Sequence, residues 1–262
     1  MRLKLYQIDA FADRLFAGNP AAVVPLEEDL PEVVMQAIAA ENNLAETAFF
    51  RREGEAYALR WFTPTVEVEL CGHATLASAY VIFRHLEPGR DEVRFSTRKA
   101  GMLGVNRDGE VLALDFPAFP PEPCAPSPGL AAALGAAPQQ LLCHGRRFLA
   151  VFSAAAKIAA LAPDFAALRR WEDGEVIVTA PGEGEIDFVS RFFAPGYGID
   201  EDPVTGSAHS VLTPYWAKRL GKERLSARQI SRRGGALLCT LQGERVAIAG
   251  RCVPYLEGWI TV

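Results

Sequence analysis

Arg60-Trp61-Phe62-Thr63-Pro64 returns as Arg191-Phe192-Phe193-Ala194-Pro195, an offset of 131 residues. A little further on, Cys71-Gly72-His73-Ala74 aligns with Thr205-Gly206-Ser207-Ala208 at an offset of 134. That second spacing persists: Thr97-Arg98-Lys99-Ala100-Gly101 matches Ser231-Arg232-Arg233-Gly234-Gly235, and Gly109-Glu110 matches Gly243-Glu244. A chain that contains much of itself twice implies two related folding units, with a cleft expected where matching elements face each other. With 262 residues, half of them hydrophobic, each half can build a core.

Working outward from the repeat, residues 3–11 alternate as a strand and 21–25 form a short buried one after the Gly18-Asn19-Pro20 turn. Pro31 opens a helix that Asn42-Asn43 ends. Residues 47–50 and 56–62 read as paired strands. Gly72 opens a helix over about 73–85 that is apolar almost all round, so it is expected inside a wrapped sheet. Its counterpart covers about 207–220, with Pro214 expected to bend it or delay its start. Strands follow each helix, at 92–96, 102–105 and 111–116, then at 229–231, 236–241 and 245–249. The order is not a clean alternation of strand and helix. The expected class is therefore α+β, each half a mainly antiparallel sheet around one central apolar helix. The first domain is expected over 1–117, a stiff proline-rich crossover over 118–128, and the second domain over 129–252. The last segment, about 253–262, lies beyond the repeat and is expected to return to the first domain.

Bulk properties exclude several functions. A net charge of −5 leaves no footprint for nucleic acid, and the basic run 228–233 reads as a solvated strand end. No apolar run approaches the roughly 20 residues that span a bilayer. The five cysteines contain no CxxC pair and the polar N-terminus is no signal sequence, which points to the cytoplasm. There is no Walker loop, no GxGxxG after a strand and no GxSxG elbow.

The chemistry is expected at the two helix starts. Gly72 and Gly206 each expose backbone just ahead of a buried helix, where the first N–H groups lack partners and the macrodipole favours anions. Two such ends converging would cradle one or two carboxylates, each end contributing roughly 0.3–2 kcal/mol. Asp200-Glu201-Asp202 precedes the second start; Asp202 counts back by 134 to Val68, so this acid is outside the repeat. Glu46, which counts forward by 131 to Ile177, enters an apolar strand. A carboxylate so desolvated is suited to moving protons. Cys71 adjoins a helix start that favours thiolate, but the position a second thiol would occupy is Thr205. Cys71-Gly72-His73 lacks the three or four convergent ligands of a metal site, and none is expected.

Asp9-Ala10-Phe11, Gly18-Asn19-Pro20-Ala21-Ala22-Val23, Asn43-Leu44-Ala45-Glu46-Thr47, Arg60-Trp61-Phe62-Thr63-Pro64, Cys71-Gly72-His73-Ala74-Thr75 and Asp202-Pro203-Val204-Thr205-Gly206-Ser207-Ala208-His209 together resemble, in order, the PhzF family. These are the phenazine-biosynthesis-like isomerases and epimerases related to diaminopimelate epimerase. The resemblance implies two similar domains, each a barrel-like sheet around a central helix, with the active site between them. It implies cofactor-independent proton transfer at carbon and a homodimer. It makes Glu46 the proton shuttle, and has His73, Asp202 and Ser207 hold substrate and handle protons. Asn19, Gly72, Gly206 and Ser207 are expected to bind a small carboxylate metabolite. Two alternatives stand beside this isomerase: a cysteine-dependent amino-acid epimerase using Cys71, and a non-catalytic small-anion-binding protein.

Overall fold

The computed structural model describes residues 1–125, 129–170 and 174–262. The chain divides into two compact units, Met1–Phe116 with Ala249–Val262, and Pro117–Ile248. Pro126, Ser127 and Pro128 of the expected crossover lie outside the described residues.

In the first unit, β1 (Arg2–Ala10) pairs antiparallel with β2 (Asn19–Leu26) on one edge and with the last strand, Cys252–Thr261, on the other. Helix α1 (Glu32–Asn42) then carries the chain across, so β3 (Glu46–Glu53) runs parallel to β2. Asn43 ends α1 in the left-handed conformation, its N–H bonded to the carbonyl of Ala39. β3 turns back into β4 (Ala56–Phe62), with the short β5 (Glu67–Val68) on the far side of β4. Helix α2 (Gly72–Val81), extended by a π-helical turn over Ile82–Leu86, makes a second crossover. It leads to β6 (Glu92–Ser96), parallel to β4, and to the antiparallel β7 (Met102–Asp108) and β8 (Val111–Pro117).

Helix α2 packs against β1, β2, β3 and the last strand. All its residues but Tyr80 are buried. The sequence makes this possible: Ala74, Ala77, Ser78 and Ala79 keep the rod thin, and Leu76 and Val81 fill the space around it. Burying each of those larger side chains contributes roughly 1.5–3 kcal/mol. The polar Ser78 is satisfied by the Ala74 carbonyl at 2.7 Å.

The second unit repeats this plan with additions. β9 (Glu122–Pro123) lies on β10 (Gln140–His144), with α3 (Leu130–Leu134) between them in sequence. β10 and β11 (Arg147–Val151) form a hairpin. Helices α4 (Ala155–Ala159) and α5 (Phe165–Arg170) precede β12 (Glu175–Pro181), which is parallel to β11. β13 (Phe188–Ala194) follows antiparallel, with β14 (Ile199–Asp202) on its edge. A 3-10 turn at Gly206–Ala208 runs into α6 (His209–Leu220), which leads to β15 (Arg224–Gln229), parallel to β13. β16 (Gly235–Gln242) and β17 (Arg245–Gly250) complete the order.

The α+β class holds, with one refinement. Each sheet is mixed, because every helical crossover joins a parallel pair. Pro214 does not break α6. Its missing N–H leaves the Ser210 carbonyl without a helical donor, and the Phe119 N–H takes that place at 2.8 Å. The regular helix starts at His209, after the 3-10 turn. The strand expected over 229–231 lies earlier, at Arg224–Gln229, where Leu225, Ala227 and Gln229 alternate inward. Phe11 is fully buried, whereas Trp259 is exposed.

Strand register also corrects the match for Glu46. Thr47 pairs with Phe62, and Val176 pairs with Phe193. Phe62 and Phe193 are equivalent in the repeat, so Glu46 corresponds to Glu175 and not to Ile177. The β12–β13 turn is longer than the β3–β4 turn, which shifts the sequence offset within the hairpin.

Candidate active site

The first unit gathers four polar side chains at the start of α2. Gly18 takes a left-handed φ of +69°, and a Cβ there would stand 2.3 Å from the Ala10 carbonyl oxygen, so only glycine fits. That turn delivers Asn19, fully buried, to the first residue of β2. Glu46 opens β3 beside it, since β2 and β3 pair in parallel with Ala21 opposite Glu46. Cys71 is the N-cap of α2 and His73 lies in its first turn.

The His73 ring links these groups. Its Nδ1 lies 3.2 Å from Asn19 Nδ2 and 3.5 Å from Cys71 Sγ. Its Nε2 lies 3.1 Å from Glu46 Oε2. The Glu46 and His73 atoms are off the line of a good hydrogen bond, and neither has another hydrogen-bond partner among the described residues. They face each other as charges. Glu46 is 8% exposed and His73 5%, so this contact is largely shielded from water.

Burial and charge compete at His73. Burial works to lower its pKa, while a charged Cys71 and the Glu46 carboxylate work to raise it, and the net direction is well above the usual imidazole value. Cys71 cannot be the group responsible near neutral pH. Burial first, and then the Glu46 charge, push its thiol up to about 11, so the sulfur is protonated there. Near neutral pH the Glu46 carboxylate is then the neighbour that works to raise His73. The helix start does not activate Cys71 as the sequence suggested, because desolvation and the neighbouring carboxylate outweigh the dipole.

Glu46, Cys71 and His73 each offer a ligand atom, all within 4.8 Å of one another. Cys71 faces Nδ1 and Glu46 faces Nε2, on opposite sides of the ring. One imidazole cannot give both nitrogens to one ion. The layout suits a relay across the ring better than a shared metal.

In the second unit the loop before α6 is laced to the end of β15. Thr205 Oγ1 donates to Asp202 Oδ2. Gln229 Nε2 donates to the Asp202 carbonyl at 2.7 Å and to Thr205 Oγ1 at 3.3 Å, while Gln229 Oε1 accepts the Thr205 N–H at 2.9 Å. Ser231 Oγ donates to the Pro203 carbonyl at 2.7 Å. His209 Nδ1 donates to the Thr205 carbonyl at 2.9 Å. Burial lowers its pKa to about 4, so this imidazole is neutral. At the equivalent place in the first unit, Thr75 Oγ1 donates to the Cys71 carbonyl at 2.6 Å. Neither Cys71 nor Thr205 caps its helix with its own side chain. Gly206 is buried and Ser207 half-buried in the 3-10 turn.

Sequence reasoning thus named Asn19, Glu46, Gly72 and His73, which the first unit brings together, and Asp202, Gly206 and Ser207, which share one loop of the second. It missed Gln229 and His209. Gln229 lay in a run read as a solvated, basic strand end. His209 sits four residues after Thr205, a spacing that signals a side-chain bond back to the helix start.

Two α+β units, each with a sheet around a buried helix, define a diaminopimelate epimerase-like fold. A predicted epimerase from Pseudomonas aeruginosa has that fold, with a TM-score of 0.74 at 21% identity over 99% of each chain. Closer similarities are more specific. Residues 8–258 match the family described as phenazine biosynthesis-like protein (PhzC-PhzF). An uncharacterized isomerase of P. aeruginosa is 53% identical over 258 residues, 98% of each chain. The crystal structure of a PhzF-family phenazine biosynthesis protein from Enterococcus faecalis has a TM-score of 0.96 at 46% identity, covering the whole of both chains. The chain belongs to the PhzF family.

Proposed function

We propose that this protein is a cofactor-independent isomerase that shifts a proton on a small carboxylate metabolite, with Glu46 as acid and base. One observation carries the reading: a nearly buried carboxylate whose charged neighbour is a histidine, with no lysine or arginine pairing it among the described residues. A fixed cation would hold the carboxylate as a permanent ion pair. A histidine can gain or lose its own proton in step with it. The names of close relatives as isomerases support the same class.

In this reading Glu46 removes a proton from a carbon made acidic by a neighbouring unsaturated or carboxyl group. His73 stabilises the Glu46 carboxylate and serves the return of the proton, and Asp202 is the second unit's candidate for handling protons. Asn19 and the amide at Gly72 hold the substrate's negative charge, including the charge that develops during transfer; the Gly206 amide and Ser207 are the second unit's candidates for binding a carboxylate. General acid–base catalysis of this type contributes about 10²–10⁴-fold. Cysteine-based epimerisation is disfavoured, because the Cys71 thiol stays protonated near neutral pH and Thr205 stands at the second position.

The test is proton exchange. The protein is incubated in D₂O with a panel of dicarboxylates and cyclic dienoic acids, and the carbon-bound deuterium is read by mass spectrometry. The parental protein is expected to label at least one compound, and Glu46→Gln to lose that labelling. Labelling by Glu46→Gln at the parental rate would refute the assignment.

A further inference from the structure

The position that would carry a second thiol is occupied by a hydroxyl with a different assignment. Thr205 has one hydroxyl proton, and it points at Asp202 Oδ2. Thr205 Oγ1 itself accepts from Gln229 Nε2 at 3.3 Å. The Gln229 amide is fixed at its other end as well, because its oxygen receives the Thr205 N–H and its nitrogen donates to the Asp202 carbonyl. The direction of each Gln229 bond is therefore set. Gln229 donates to Thr205, Thr205 donates to Asp202, and Asp202 can only accept at Oδ2. All three side chains are buried: Asp202 is 7% exposed, Thr205 8% and Gln229 1%.

We propose that Thr205 and Gln229 are positioning residues that keep Asp202 in its charged, proton-accepting form. This rests on the reading of Asp202 as a proton-handling group, yet it concerns residues to which that reading gives no part. Neighbouring acids are already engaged: Glu201 is held by Arg191 at 2.7 Å and Asp200 by Arg169 at 2.8 Å. His209, the titratable group at the start of α6, is neutral and bonded to the Thr205 carbonyl. The threonine hydroxyl is thus a donor through which the loop supports the Asp202 charge. Loss of a hydrogen bond to the charged form of a buried carboxylate moves its titration upward.

The experiment reads Asp202 directly and needs no substrate. The full chain is labelled with ¹³C at aspartate carboxyls, the Asp202 resonance is assigned with Asp202→Asn, and its titration is followed by NMR. Thr205→Val is expected to raise the midpoint by about one pH unit or more. Thr205→Ser, which keeps the hydroxyl, is expected to restore the parental midpoint. Gln229→Glu keeps an acceptor for the Thr205 N–H but removes the donor and adds a negative charge, so it is also expected to raise the midpoint; it decides the matter if Thr205→Val does not fold. A midpoint unmoved in Thr205→Val or in Gln229→Glu, or a serine variant that behaves like valine, would overturn the proposal. Because the readout is a titration and not turnover, an enzyme that fails the deuterium test could still pass this one, and the reverse.

Discussion

Glu46 and Glu175 open equivalent strands of the two units, yet one faces a histidine and the other an arginine. Opposite Glu175 on the parallel neighbour strand stands Arg147, whose Nε meets the carboxylate at 2.7 Å. Opposite Glu46 at the same register stands Ala21. The duplication preserved the scaffold around this difference. Arg60 and Glu67 form a two-point ion pair, with both contacts at 2.7 Å, and Arg191 and Glu201 repeat it at 2.7 and 2.9 Å. Each arginine also lies 4.9 Å from the ring two residues on, Phe62 or Phe193. The first unit thus leaves at one strand start a carboxylate without a fixed cation, where the second keeps a partly exposed surface ion pair.

The largest consequence concerns those two glutamates. Glu46→Gln is expected to slow proton exchange into substrate by about 10²–10⁴-fold. Glu175→Gln is expected to leave exchange unchanged and to cost no more than about 1 kcal/mol in urea denaturation, as a partly exposed pair should. Equal losses in the two variants would erase the contrast.

The two helix-start histidines sharpen the comparison through pH, with opposite signs. His209 titrates at about 4 in the folded chain, below its unfolded value. The unfolded state therefore binds the proton first, and stability falls as pH drops from about 6.5 toward 4, by roughly 3 kcal/mol. Denaturation of His209→Gln across that range is expected to lack this slope. His73 is raised, so its contribution is complete below about pH 6.5 and is lost as pH climbs through its native value. Acid sensitivity that persists undiminished in His209→Gln would assign the slope elsewhere.

A smaller effect is expected at Cys71. Its thiol, pushed up to about 11 and 5% exposed, should react slowly with iodoacetamide near neutral pH. Cys71→Ala is expected to keep exchange within about tenfold of the parent, well short of the effect at Glu46. Rapid alkylation with complete loss of exchange in Cys71→Ala would favour the cysteine mechanism.

Much of this was legible in the sequence, for identifiable reasons. The repeat and the apolar run over α2 announced two α+β units, because an all-apolar helix has nowhere to sit but inside a sheet. Glu46 stood out as an acid leading an apolar strand. The Asp202 loop stood out because its length breaks the repeat; register agrees, placing Asp202 on Phe192 where Val68 lies on Trp61. The partners of these residues were hidden. Nothing local to Glu175 reveals Arg147, which is brought beside it only by parallel pairing across two helices. Gln229 is likewise remote from Asp202 in sequence, and the bond that joins them exists only once β15 has folded beside the loop.

The most direct measurement is the protonation of His73 by ¹⁵N NMR, in the parent and in Glu46→Gln. If Glu46 is a charged carboxylate set against this ring, the parent should hold an imidazolium through neutral pH, and the variant should titrate at least about one unit lower. A His73 titration that is the same in both proteins would contradict the paired acid–base centre on which the proposed chemistry rests.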